Sequence, residues 1–278
     1  MVSRLLIGAV LLYIGILIVA PVGAIVHGAF SRGLGAFLAA LNQPDVFHAF
    51  QLTLILSAAA VTLNTVFGVL IAWMLVRHRF RGRGLVNGLV DLPFVVSPVI
   101  AGYAILLLFG RQGWFAPFVQ VTGIRVAFAL PGMLLATLFI SLPFVIREVM
   151  PVLESVGTEQ EQMAHTLGAS GWQTFWRVTL PNIRWGVLYG ITLTLARTLG
   201  EFGAVLVVSG AVSGLTETAT LYIFRAMDER QYLSAYAVSL VLGAISFGIL
   251  MAMEGVKRRL AEERRLGTDN RRRRMALP

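Results

Sequence analysis

The sequence predicts an all-α, polytopic membrane protein: six transmembrane helices with one ordered helical loop in the cytoplasm. Three observations carry that prediction. Apolar residues make up 57% of the 278 positions and charged residues only 13%, against roughly 25% charged in soluble domains. The apolar residues collect into six runs, near 5–26, 52–76, 89–109, 126–146, 187–208 and 235–253. Each matches the ~20 residues that cross a hydrocarbon core. Between the fourth and fifth runs lies a polar stretch, 154–186, reading ESVGTEQEQMAHTLGASGWQTFWRVTLPNIRWG, dense in helix start and stop signals.

The first run follows Arg4, and small residues at Ala20 to Ala24 offer a weak cleavage site. Its length and the five runs behind it favour a retained first span over a removed leader. The third and fourth runs contain Pro93, Pro98, Pro131 and Pro143, and glycines punctuate the second, fifth and sixth. Proline removes a backbone donor, so neighbouring helices or a cavity must satisfy the freed carbonyls. Two readings stay open: ordinary bundle packing through small residues, or a pathway lined by irregular helices. No internal repeat is evident.

Basic residues set the orientation, because short cytoplasmic loops are rich in Lys and Arg. One set of loops with the C-terminal tail carries seventeen basic residues, the other five. Omitting the tail leaves eight against five, with the short RHRFRGR loop decisive. Both termini and the 154–186 stretch are therefore expected in the cytoplasm. Residues 1–256 form the transmembrane domain. Residues 257–278 form a basic tail, expected to be partly disordered, that anchors to anionic lipid or serves regulation.

Composition also excludes chemistries. The chain has no cysteine, so disulfides, thiolate metal sites and cysteine nucleophiles are absent, and its four histidines form no HExxH pair. The net charge of +9 flanks apolar runs rather than forming a stripe with aromatics, which favours a membrane surface over nucleic acid. A P-loop needs G-x-x-x-x-G-K-[ST], yet the single lysine, Lys257, follows Val256. The chain has no such nucleotide site.

The polar stretch carries two capping signatures. Thr158 with Glu161 starts a helix that Gly168 stops, and Ser170 with Gln173 starts a second that ends before Pro181. The first sets Met163, Ala164 and Leu167 on one face; the second groups Trp172, Phe175 and Trp176. Neither helix is long enough to stand alone. The receiver is either the chain's own membrane domain or a groove on another subunit.

Two charges fall inside the fifth run. In a straight helix from Val187, Arg197 lies ~15 Å along the axis, near mid-membrane. Glu201 follows at i+4, within pairing reach. An unpaired charge at this depth costs at least ~3 kcal/mol. The pair either locks helix packing, lines a pathway or gate, or joins subunits. Ser97, Thr194 and Ser209 are candidate hydroxyl donors along such a path, and Asp91 reads as an interfacial or capping residue.

The polar stretch resembles the EAA loop of ATP-binding-cassette importer permeases: E-A-A, three residues, Gly, nine residues, I-x-L-P. Gly168, Leu180 and Pro181 fall at that spacing, Val178 replaces the isoleucine, and Ala164 matches the second alanine. Gln162 and Met163 depart from the pattern, with Glu161 one residue before the glutamate position. The words RHRFRGRG, DLPFVVSPVIAG, LLFGRQGWF, LPFVIREV and ARTLGEFGAV, spread over 77–210, are similar to sulfate/thiosulfate importer permeases. Molybdate and tungstate permeases share pieces such as GEFGA.

The resemblance implies a type I importer permease fold in a bacterial inner membrane. It implies a coupling helix whose residues Glu161, Gln162, Met163, Ala164, His165, Leu167, Gly168, Ala169, Leu180 and Pro181 dock on a cytoplasmic ATPase. The partners are then a second permease subunit, a dimer of ATP-binding subunits holding ATP and Mg, and a periplasmic or lipoprotein binding protein. The chain itself holds no cofactor. Arg197 would attract a divalent oxyanion while Glu201 prevents tight trapping. Outside this class stand an ATP-independent anion channel or secondary transporter, and a membrane scaffold recruiting partners through the tail.

Overall fold

A computed structural model describes the backbone of residues 2–275 and the side chains of residues 6–256. Helices are the only regular secondary structure among the described residues. In order they are α1 (Val2–Ile14), α2 (Ala20–Phe30), α3 (Gly33–Leu41), α4 (Pro44–Arg77), α5 (Arg83–Val95), α6 (Pro98–Phe109), α7 (Ala116–Thr122), α8 (Leu130–Val156), α9 (Glu159–Thr166), α10 (Gly171–Thr174), α11 (Leu180–Leu199), α12 (Gly203–Ser209), α13 (Ala219–Asp228) and α14 (Tyr232–Met275). A π-helical turn joins α1 to α2 at Gly15–Val19, and another joins α10 to α11 at Phe175–Thr179.

Among the described residues, four helical stretches are long and apolar enough to span a bilayer: Leu6–Phe30, Pro44–Arg77, Leu130–Val156 and Tyr232–Val256. The other two expected spans are bent pairs. The third, 89–109, is broken into α5 and α6 with a 114° bend, and the fifth, 187–208, into α11 and α12 with a 56° bend. Six spans are reached only when each bent pair counts as one. The cause of the sharper break is local. Pro98 cannot donate a hydrogen bond, and a residue before proline is driven from the helical region. Ser97 accordingly sits at φ −58°, ψ 138°.

Expected boundaries shift where helices outrun their apolar runs. α8 continues ten residues past 146, carrying Pro143 and Pro151 inside it. α14 continues as backbone helix to Met275, where the sequence suggested partial disorder. Arg, Leu, Ala and Glu, all strong helix formers, fill residues 258–266. The tail's side chains lie outside the described residues.

The chain divides into two compact units, Met1–Leu54 with Gly210–Ile245, and Ile55–Ser209 with Ser246–Pro278. In the first, Val46 and Ala49 of α4 pack with Ala219, Tyr222 and Ala226 of α13 and with Ala235 and Val238 of α14. In the second, Val145, Ile146, Val149 and Leu153 of α8 pack with Leu75 of α4, Val90 of α5 and Ile183 of α11. α11 lies so close to α8 that a Cβ on Gly190 would stand 2.8 Å from Val145 Cα. α6 meets α12 as tightly, with a Cβ on Gly102 placed 2.6 Å from the Ala204 carbonyl. Small residues permit this in the second unit, as in membrane bundles generally. In contrast, the apolar side chains from Leu6 to Val22 are all exposed within this chain, as befits a surface facing lipid or another membrane subunit.

Candidate functional site

The polar stretch folds as a helical module whose inner side is tied to the second unit. After α8, Gly157 turns the chain at φ +68° and α9 begins at Glu159. The expected Thr158 capping box does not form. Thr158 Oγ1 accepts instead from Gln162 Nε2 at 3.3 Å, because Glu161 is drawn away by Arg77. Arg77 Nε and Nη2 donate to the two Glu161 oxygens at 2.9 and 3.2 Å. Arg77 also donates to the carbonyls of Leu153 (3.1 Å) and Gly157 (2.7 Å), the last turn of α8 and the bend beyond it. Thr179 Oγ1 donates to Glu161 at 2.8 Å, and Asn182 Nδ2 to Gln160 at 2.7 Å. One buried guanidinium thus joins α4, α8 and α9, while the Glu161 carboxylate carries the tie on to the π turn.

The second box does form. The Ser170 N–H donates to Gln173 Oε1 at 3.0 Å, and the Gln173 N–H to Ser170 Oγ at 3.3 Å. Gly168 separates the two helices at φ +86°, the left-handed geometry that ends helices. The second helix does not stop before Pro181, as the sequence suggested. The π turn bonds the Leu180 N–H to the Phe175 carbonyl, and this shifted register admits Pro181 into the start of α11.

Of the two expected receivers, the chain's own membrane domain takes one side of the module. Phe175 and Leu180 pack against the core of the second unit, Trp73 meets Phe175 edge-on at 6.2 Å, and Glu161, Ala164 and Ala169 are half-buried. The opposite side is open. Met163 is 69% exposed, Leu167 88% and Trp172 69%, and Gln162, His165, Gly168 and Pro181 are exposed beside them.

The second candidate site lies where the fifth span breaks. Arg197 lies in the last turn of α11, and its Nη1 lies 2.6 Å from Glu201 Oε2. Glu201 does not continue the helix; it stands in the break, and its Oε1 accepts from the Ala204 N–H of α12 at 3.0 Å. The cation thus sits at a helix C-terminus and the carboxylate at a helix N-terminus, each favoured by the helix dipole. The third span's break adjoins this one, since a Cβ on Gly203 would meet Pro98 Cβ at 3.2 Å. Ser97 is therefore brought near the pair and is exposed. Thr194, fully buried one turn earlier, has a hydroxyl with no partner among the described residues. Ser209 is buried at the far end of α12, so the structure does not gather all five residues.

Sequence reasoning missed one pair. Arg147 lies within α8, and its guanidinium donates to both carboxylate oxygens of Asp91 of α5, at 2.6 and 2.8 Å, and to Asn87 Oδ1 at 3.0 Å. The spacing of Asn87 and Asp91, one turn apart on α5, was the available signal. Another cluster was also hidden. Arg225 of α13 chelates the buried Glu217 carboxylate at 2.7 and 3.0 Å, which raises its pKa, while burial raises that of Tyr222.

Residues 64–261 match the family model described as the binding-protein-dependent transport system inner membrane component. The chain is 47% identical over 261 residues to the sulfate transport system permease protein CysW of Synechococcus elongatus, covering 94% of this chain and 91% of that one. It is 47% identical to CysW of Escherichia coli, covering 78% and 75%. Sulfate transport system permease protein CysT of Escherichia coli is 36% identical, with 91% of each chain covered. A bacterial alginate ABC transporter, solved with an alginate pentasaccharide-bound periplasmic protein, shares the fold at a TM-score of 0.80 and 19% identity, over 93% of this chain and 94% of that one. By the extent of the family match and of these identities, the chain belongs to the inner membrane components of binding-protein-dependent transport systems.

Proposed function

We propose that this chain is the translocating permease subunit of an ATP-driven importer for sulfate or thiosulfate. The observation that carries the reading is the two-sided module: Arg77 and Glu161 lock its inner side, while Met163, Leu167 and Trp172 stand exposed. A short helix held rigidly to the membrane domain, with an unpaired apolar face, suits a part that transmits motion from a partner. The CysW names of relatives at 45–47% identity support the anion.

Under this reading a dimer of ATP-binding subunits holds ATP and Mg and receives the exposed Gln162, Met163, His165, Leu167, Gly168 and Pro181, while Glu161, Ala164, Ala169 and Leu180 back the module on its inner side. A second permease of the CysT kind completes the pathway, and a periplasmic or lipoprotein binding protein delivers the anion. Both termini and the module face the cytoplasm, and the basic tail meets anionic lipid. Arg197 and Glu201, near Ser97, form a gate, with Thr194 and Ser209 along the path.

Labelled sulfate uptake in cells lacking this chain, with and without its restoration, tests the reading. Restoration recovers uptake, and excess molybdate does not compete. Unchanged sulfate uptake without the chain, in a strain with no second sulfate system, removes the sulfate assignment. Competition by molybdate favours the molybdate or tungstate alternative.

Gly168 gives a sharper test of coupling. A Cβ there meets nothing within 4 Å, so strain comes only from its φ of +86°, about 1–2 kcal/mol. Gly168→Leu therefore lowers the thermal midpoint of the complex by only a few degrees. Its side chain intrudes where the partner docks, and uptake falls by about tenfold or more. Normal uptake by this variant removes the coupling role.

A further inference from the structure

Among the arginines that the scheme above leaves without a role, two share one cavity. Arg111 and Arg125 line one concave cavity of about 740 Å³, together with Gln120 and the apolar Phe109, Val119 and Phe128. Elsewhere Arg77, Arg147, Arg197 and Arg225 each face a carboxylate. Arg111 and Arg125 have no ion-pair or hydrogen-bond partner among the described residues, and no Asp or Glu occurs between Leu92 and Arg147. The cavity is built by ordered backbone. Phe109 stacks on Phe115 with ring centroids 4.9 Å apart, the Phe115 N–H donates to the Leu108 carbonyl at 2.9 Å, and Phe128 is held at φ +56°. It adjoins the start of α8, and the module follows the end of that helix. The 27 residues of α8 separate the two by ~40 Å, a bilayer's thickness.

We propose that Arg111 and Arg125, with Gln120 as a neutral donor, form an oxyanion-binding site on the membrane face opposite the module, where a divalent tetrahedral anion rests before entering the bundle. The assignment rests on the importer reading, which makes that face external. Two planar guanidiniums match the paired oxygens of a tetrahedral oxyanion. A concave site with apolar walls and no carboxylate concentrates positive potential. Both arginines are exposed, so water competes and the anion is held weakly enough to move on.

The test uses the complete transporter in lipid nanodiscs, without nucleotide or binding protein, and labelled inorganic sulfate as probe. Saturable sulfate binding is expected in the parent complex; R111Q/R125Q weakens it by about tenfold, and R111K/R125K, which keeps the charge but not the planar fork, recovers only part of it. The thermal midpoint of each complex shows that the variants are folded. Equal binding by parent and R111Q/R125Q overturns the proposal, as does a parent that binds no sulfate. Intact sulfate binding in R111Q/R125Q, with lost capture of the substrate-loaded binding protein, also overturns it and assigns the arginines to an acidic protein surface. Sulfate uptake by cells carrying the parent chain separates the two levels. If uptake stands while R111Q/R125Q binding is unchanged, this site alone fails. If the parent imports no sulfate, the importer reading fails first.

Discussion

Arg77→Ala leaves the transporter inserted but unable to import, with uptake reduced by well over tenfold. The reason is the burial of what Arg77 holds. Its side chain is 8% exposed and that of Glu161 15%. Removing one partner of such a pair leaves an uncompensated buried charge, costing about 3–5 kcal/mol. The carbonyls of Leu153 and Gly157 lose their donor as well. That loss is large against a total stability of roughly 5–15 kcal/mol for a domain, but it falls locally. α9 and the π turn come free of the end of α8, while the packed core of α8 and α11 is untouched. Hydrogen exchange should therefore quicken in 157–180 and not in the spans. Arg77→Lys offers a point charge without the planar fork and recovers only part of the function. The double variant R77A/E161A is expected to be more stable than R77A alone, because the orphaned carboxylate is gone. Wild-type uptake and unchanged exchange in Arg77→Ala would sink the idea that this residue holds the module.

The same residue shows where reading the sequence stops. Arg77 was legible as an orientation charge in RHRFRGR. Its partner lies 84 positions away, and a single sequence carries no trace of such a pairing. The class and the number of spans were legible because bilayer thickness imposes a length that hydropathy reports. Their straightness was not. Pro98 and Pro143 look alike in sequence, yet the chain bends 114° at one and runs helical through the other. What differs is their place: Pro143 is buried within α8, whereas Pro98 stands in the first turn of α6 and lies against Gly203, where a Cβ would come within 3.2 Å of it. The Ser170 box formed because both partners were local. The Thr158 box failed because Arg77 offered Glu161 a charge-assisted bond, stronger than the neutral cap it displaced.

Arg197 and Glu201 lend themselves to a decisive pair of substitutions, because the break gives each side chain a separate duty. The Glu201 side chain is 4% exposed, and its partners include Arg197 and the Ala204 N–H, while Arg197 is 29% exposed. Arg197→Ala leaves the buried Glu201 carboxylate without its cation, at a cost of about 3–5 kcal/mol, and both assembly and uptake fall. Glu201→Gln keeps an oxygen for the Ala204 N–H but removes the charge, so α12 stays capped and Arg197 alone is unpaired. Because Arg197 retains water contact, this variant assembles better than Arg197→Ala. The double variant R197A/E201Q removes both charges and keeps the cap. If the pair only locks the break, assembly and uptake return together. If it gates an anion, assembly returns while uptake stays at least tenfold down, since no cation remains to attract the oxyanion and no carboxylate to release it. The second outcome is expected: a salt bridge built only for packing would be matched or bettered by apolar side chains of similar volume, and this one stands where two interrupted helices meet.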